Sequence, residues 1–185
     1  SKVARYGNID IPTASLKTWQ TAGRGQNALL PHHTKLLIQA NTTTTTSSSI
    51  IDQSASGHTV TATNAAYSQG KTNFGNTAIY FDGSGDYLDI ASHADFAVLR
   101  QDFSMECWFY RAGTSPTNQW IFSGRDAGHF DIGLYGTSRI DVFLEGNDLS
   151  TGTTVDTSAG NWMHIAAGRV NNVVCIWLNG QLVAS

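Results

Sequence analysis

No stretch of eleven residues in this chain repeats its apolar side chains every three to four positions, whereas Phe103, Met105, Cys107 and Phe109 fall on alternate positions of FSMECWFY. Successive side chains of a strand point to opposite faces, so this alternation buries one face and frees the other. The remaining apolar runs are equally short and are separated by Gly, Asn, Ser and Asp. With eighteen glycines against three prolines, the chain turns often. Strands are expected at Leu36 to Ala40, His58 to Thr63, Ala78 to Asp82, Tyr87 to Ala91, Phe103 to Tyr110 and Gln119 to Ser123. Further strands are expected at His129 to Tyr135, Arg139 to Leu144, Trp162 to Val170, Val173 to Leu178 and Gln181 to Ala184. Asn179-Gly180, between IWL and LV, suits a two-residue hairpin whose central residues both need positive φ, and Asn171-Asn172 suits a similar turn one strand earlier. The expected fold class is all-β, as two packed antiparallel sheets in a sandwich or jelly roll.

The 185 residues suit one domain with an appendage. A formal net charge of -3, with 14% charged residues, supplies no basic field for a phosphate backbone, so nucleic acid is left out of the expected partners. No run of eighteen apolar residues is present to cross a membrane, and no membrane partner is expected. The two cysteines lack C-x-x-C spacing and are too few for a disulfide framework, so both are expected as reduced core thiols.

The stretch FDGSGDYLDI sets Asp82 and Asp86 around a Gly-Ser-Gly turn. Counted from Asp82, an EF-hand loop would need Gly at the sixth position and a carboxylate at the twelfth, where this chain has Tyr87 and His93. The two aspartates are therefore expected to bond their own turn, and no motif supports a rim calcium ion. Asp141 and Glu145 lie four apart on one strand, a separation of ~13 Å that exceeds both glycosidase ranges. The sequence has no G-x-S-x-G elbow, H-E-x-x-H or phosphate-binding glycine loop, and its histidines show no ligand spacing. His164 is expected to be partly buried and satisfied. These absences favour a binding or structural module over an enzyme.

Two stretches fall outside the strand pattern. NTTTTTSSS, from Asn41 to Ser49, is a polar low-complexity run with nothing to bury. Residues 1 to 31 read as a connector or arm, ahead of a sandwich over 32 to 185.

The combination of GHTVT, FGNTAIYFDGSGDYL, DFSMECWFY, NWMHIA and LNGQLVAS resembles the concanavalin A-like, laminin-G-like jelly rolls of phage structural and tail-fibre proteins and of secreted adhesins. The resemblance implies that FDGSGDYL is strand, tight turn and strand. It also implies further strands after NGQLVAS, so the sandwich is expected to lack its last strands and to be completed from outside residues 32 to 185. SKVARY resembles the family's closing segment, which makes residues 1 to 31 the expected tail of a preceding repeat.

That resemblance points to a non-enzymatic virion module, a fibre or decoration protein that recognises host-surface glycans and works as a homo-oligomer within a larger assembly. A purely structural module that binds another virion protein, and a secreted bacterial adhesin domain, remain as alternatives. No cofactor is expected. Sugar sites combine an exposed aromatic ring with planar polar groups, and the candidates near 115 to 136 are Trp120, Arg125, Asp126, His129 and Tyr135. Trp120 also precedes Ile121-Phe122, which would suit a core position. Trp108, Trp162 and Trp177 sit among apolar strand neighbours and are expected to pack.

Overall fold

The computed structural model describes residues 3–6, 9–12, 34–40, 42, 49–98, 101–113, 118–124, 130–144, 147–152 and 155–185. The chain divides into two compact units, Ser1–Ala91 and Ser92–Ser185.

In the first unit, β1 (Val3–Tyr6) pairs with β2 (Ile9–Pro12) as an antiparallel hairpin. β3 (Val60–Thr63) pairs with β6 (Tyr87–Ile90), and β4 (Ala66–Ser68) pairs with β5 (Ala78–Tyr80). Leu36 to Ala40 is not a strand. Ile38 forms a single bridge to Asp52, and the neighbouring backbone is held by a side chain. Buried Asp52 accepts hydrogen bonds from the backbone N–H groups of Leu37 (2.9 Å), Ser54 (2.8 Å) and His58 (2.8 Å), and from the Ser54 hydroxyl (2.8 Å). The Asp82 and Asp86 carboxylates bond their own turn as expected: Asp82 Oδ1 accepts from Ser84 N–H at 2.7 Å, and Asp86 Oδ2 accepts from Asp82 N–H.

In the second unit, a 3-10 turn (Ala94–Phe96) precedes two four-stranded antiparallel sheets. The first sheet holds β8 (Asn118–Ser123), β9 (Phe130–Tyr135), β10 (Arg139–Leu144) and β11 (Asn147–Ser150), in sequential order. The second holds β7 (Phe103–Tyr110), β12 (Trp162–Val170), β13 (Val173–Leu178) and β14 (Gln181–Ala184), in the order β14-β13-β12-β7. Asn171, Asn172, Asn179 and Gly180 all have positive φ, as the two tight hairpins require.

The inward faces meet in one core. Ile132, Leu134, Ile140 and Val142 come from the first sheet, and Met163, Ile165, Ala167 and Ile176 from the second. Arg169 occupies a core-facing position of β12 and is buried. Its Nε donates to the Gln101 carbonyl at 2.9 Å and its Nη2 to the Val98 carbonyl at 3.0 Å, so the guanidinium also anchors the chain that leads into β7.

The cysteines part company. Cys107 packs against the core, but Cys175 pairs with Gly168 on the opposite face of the sheet, so only one of the two is a core thiol. Both are free.

Candidate functional site: an aromatic platform on the first sheet

Residue parity along β8 would place Trp120 and Phe122 on the same face. The structure separates them, because the β8–β9 register shifts between Trp120 and Phe122. Trp120 stands opposite Gly133 on the outward face, while Phe122 stands opposite core-facing Ile132. A bulge redirects a side chain in this way, and here it leaves Trp120 43% exposed.

β9 and β10 complete the surface by alternation. Phe130, Ile132 and Leu134 point inward, leaving Asp131, Gly133 and Tyr135 outward; Ile140, Val142 and Leu144 point inward, leaving Arg139, Asp141 and Phe143 outward. Three rings gather there. Trp120 lies 5.9 Å from Tyr135, edge-on at 85°, and 6.0 Å from Phe143, with 6.3 Å between Tyr135 and Phe143. These separations fit favourable aromatic contacts.

The Arg139 guanidinium lies 4.5 Å from the centre of the Tyr135 ring, and its Nε is 3.2 Å from Asp141 Oδ2. Asp131 and Asp141 are both only 6% exposed. Asp131 stands opposite Phe143 and Asp141 opposite Gly133, which makes the two acids diagonal neighbours across one ladder. This juxtaposition arises from the β9–β10 register and is contained in neither segment alone. Glu145 lies outside the described residues.

Of the five candidate residues, Trp120 and Tyr135 are side by side. Arg125, Asp126 and His129 lie outside the described residues. Arg139, Phe143 and Asp131 join the surface without having been selected from the sequence, and Asp141, weighed there only as a partner of Glu145, joins it too. The signal for them was the alternation of FDIGLY and RIDVFL around a short connection, which fixes what shares a face once the hairpin register is known.

The second sheet corrects one expectation. Trp108, Trp162 and Trp177 do not pack into the core: all three lie on the face opposite Met163, Ile165 and Ile176, and Trp108 is 47% exposed, 5.1 Å from the His164 ring. His164 is partly buried, as expected, with Nε2 3.5 Å from Glu106 Oε2. Trp162 lies 5.8 Å from Tyr110 on the same face.

Residues 82–185 match the family model of the concanavalin A-like lectin/glucanases superfamily. No curated protein and no solved structure matches the chain.

Proposed function

The chain belongs to the concanavalin A-like lectin/glucanases superfamily, and from that premise we propose that it is a non-enzymatic carbohydrate-binding module whose ligands stack on Trp120. The observation that carries this reading is the exposed Trp120 indole, braced by Tyr135 and Phe143 and flanked by the Arg139–Asp141 pair. A pyranose ring presents a C–H face that stacks on an indole, while its hydroxyls bond in the plane to charged and amide groups. The rings hold one another in place, so little side-chain freedom is lost on binding.

The setting proposed is a virion, with the module carried on a fibre or decoration protein and directed at host-surface glycans. The resemblance of FGNTAIYFDGSGDYL and LNGQLVAS to phage structural proteins supports this. Modest affinity per module would be raised by repeating it along the fibre. Exposed Trp108 beside the His164–Glu106 pair favours a second reading, an assembly module that docks on another virion protein.

A glycan array probed with the full chain and with Trp120→Ala separates the two. Saturable binding that disappears in the variant supports the platform. Absence of binding to any glycan, together with retention of the chain on purified capsid or tail protein, overturns it in favour of assembly.

A further inference from the structure

Away from the platform, at the start of β12 and the β13–β14 turn, Asp156, Ser158, Asn161, Trp162, Met163 and Asn179 line an open groove of about 270 Å³. Its side chains are those of a surface loop, but its backbone is fixed. Val155 N–H donates to the Ser138 carbonyl at 3.2 Å, Thr157 N–H to the Thr137 carbonyl at 2.7 Å, and Gly160 N–H to the Arg111 carbonyl at 2.9 Å. Arg111, 3% exposed, donates from Nη1 to the carbonyls of Thr157 at 2.7 Å and Gly136 at 2.6 Å. Burying a guanidinium to hold a surface segment is costly, and the result is a loop that keeps its shape before any ligand arrives.

The polar groups are oriented as well. Asn179 Oδ1 accepts from His164 N–H at 2.9 Å, which fixes the amide and leaves its NH2 group without a partner among the described residues. Asp156 Oδ1 accepts from Ser158 N–H at 2.9 Å. Asn161 is exposed beside Trp162, whose ring is braced by Tyr110.

We infer that this groove is a second saccharide site, independent of Trp120, which takes a single uncharged or amine-bearing pyranose. The sugar would stack on Trp162, with its hydroxyls meeting the Asn161 and Asn179 amides and donating to Asp156. Among the described residues of the lining, Asp156 is the one that is charged and none is Lys or Arg, so an anionic sugar would meet a carboxylate with no counter-ion among them. Two sites on one module would make it bivalent toward a branched or repeating glycan. The inference takes the ligand class from the proposed function but places binding at different residues.

The test follows the indole N–H resonances of the tryptophans in a ¹H–¹⁵N spectrum of the full chain, assigned with Trp120→Phe and Trp162→Phe. The probes are the methyl glycosides of glucose, galactose, mannose and N-acetylglucosamine, and that of N-acetylneuraminic acid as the anionic control. The Trp162 signal is expected to shift saturably with at least one uncharged glycoside and to stay still with the anionic one. The shift should persist in Trp120→Ala and weaken about tenfold in Asn161→Ala, the effect of losing one well-placed polar contact. A response at Trp120 alone overturns this site and leaves the platform standing. A response at Trp162 alone does the reverse. Silence at both, or a Trp162 shift indifferent to Asn161→Ala and Asp156→Ala, overturns the inference.

Discussion

Gly133 lies under the Trp120 ring so closely that a Cβ added to it would stand 2.9 Å from Trp120 Cζ3 and 3.0 Å from Tyr135 Cε2. The glycine is a flat floor on which two aromatic rings lean, between strand neighbours Ile132 and Leu134 that point the other way into the core.

Gly133→Ala therefore tests the platform without removing any of its rings. The added methyl must push out one of the two rings it meets, and the exposed indole has the room to move. Expected is a stability loss of about 1–2 kcal/mol, small because the core face is untouched. Binding of any ligand that stacks on Trp120 should fall about tenfold or more. Thermal unfolding and tryptophan fluorescence read the two effects. A variant that binds as well as the parent would show that the indole is not where the ligand sits.

Most of the strand layout was legible because it depends on alternation: Phe103–Tyr110, Arg139–Leu144, Trp162–Val170, Val173–Leu178 and Gln181–Ala184 form where the period-2 pattern and the Asn turns place them. Failures came where a side chain replaces a ladder or a register slips. Leu36 to Ala40 has the composition of a strand, but its backbone is partnered by Asp52, a contact across fifteen residues that no local pattern announces. β4 and β11 were missed because AYS and NDLS are too short and too polar to show a period. At the site, the single extra residue in β8 decides whether Trp120 is core or platform, and a bulge leaves no mark in composition. Cys175 illustrates the same limit, since VVCIWL is apolar on both faces and only pairing with β12 shows which one is outward.

Asp52 makes the first unit acid-sensitive. Burial alone would raise its pKa, but the N–H groups of Leu37, Ser54 and His58 and the Ser54 hydroxyl outweigh it, and the folded-state pKa is lowered. A group whose folded pKa lies below its unfolded value contributes stability that is present above the unfolded pKa and is lost as pH falls through the folded one. The hydrogen bonds it accepts should therefore persist at neutral pH and fail only below pH ~4, the ordinary carboxylate range. Asp52→Asn is expected to cost about 2–4 kcal/mol at neutral pH, since an amide cannot accept all these bonds, and to flatten the acid limb. Amide exchange at Leu37, Ser54 and His58 across pH 2–7 measures it. Exchange at these three amides that is independent of pH below 4, after correction for the intrinsic rate, would contradict the assignment.

The cysteines should behave differently from one another. Burial pushes the Cys107 thiol up to about 12, with the charge of Glu106 adding to the effect, so almost none is thiolate at neutral pH. Cys175 faces away from the core. β12 lies between their strands, so the backbones are separated by ~9.6 Å at two inter-strand spacings, beyond the reach of a disulfide. Thiol titration at pH 8 should label Cys175 in the folded chain and Cys107 only after denaturation. A mass under non-reducing conditions lighter by two hydrogens would refute this geometry.

The non-enzymatic reading faces its sharpest test at Asp131 and Asp141. Their diagonal placement across β9 and β10 corresponds to ~7–8 Å between backbones, which falls within the range of carboxyl separations that glycoside hydrolysis uses. Distance therefore does not exclude a catalytic pair, and only a direct assay of hydrolysis does. Hydrolysis needs one carboxyl that keeps its proton at working pH so that it can protonate the leaving oxygen. Asp141 Oδ2 lies 3.2 Å from Arg139 Nε, so this carboxylate is already engaged by a neighbouring side chain. Its surface partners are rings that brace Trp120, an arrangement suited to holding a sugar. Incubation with bacterial surface polysaccharides should release no reducing ends, and Asp131→Asn should leave glycan binding within about twofold of the parent if its carboxylate takes no part in chemistry. Asp141→Asn should weaken binding modestly by freeing Arg139, with Arg139→Gln producing the same change and the double variant no further one. Reducing-end release by the parent that is abolished by either aspartate substitution would make this a hydrolase and place its acids on the outward ladder of β9 and β10.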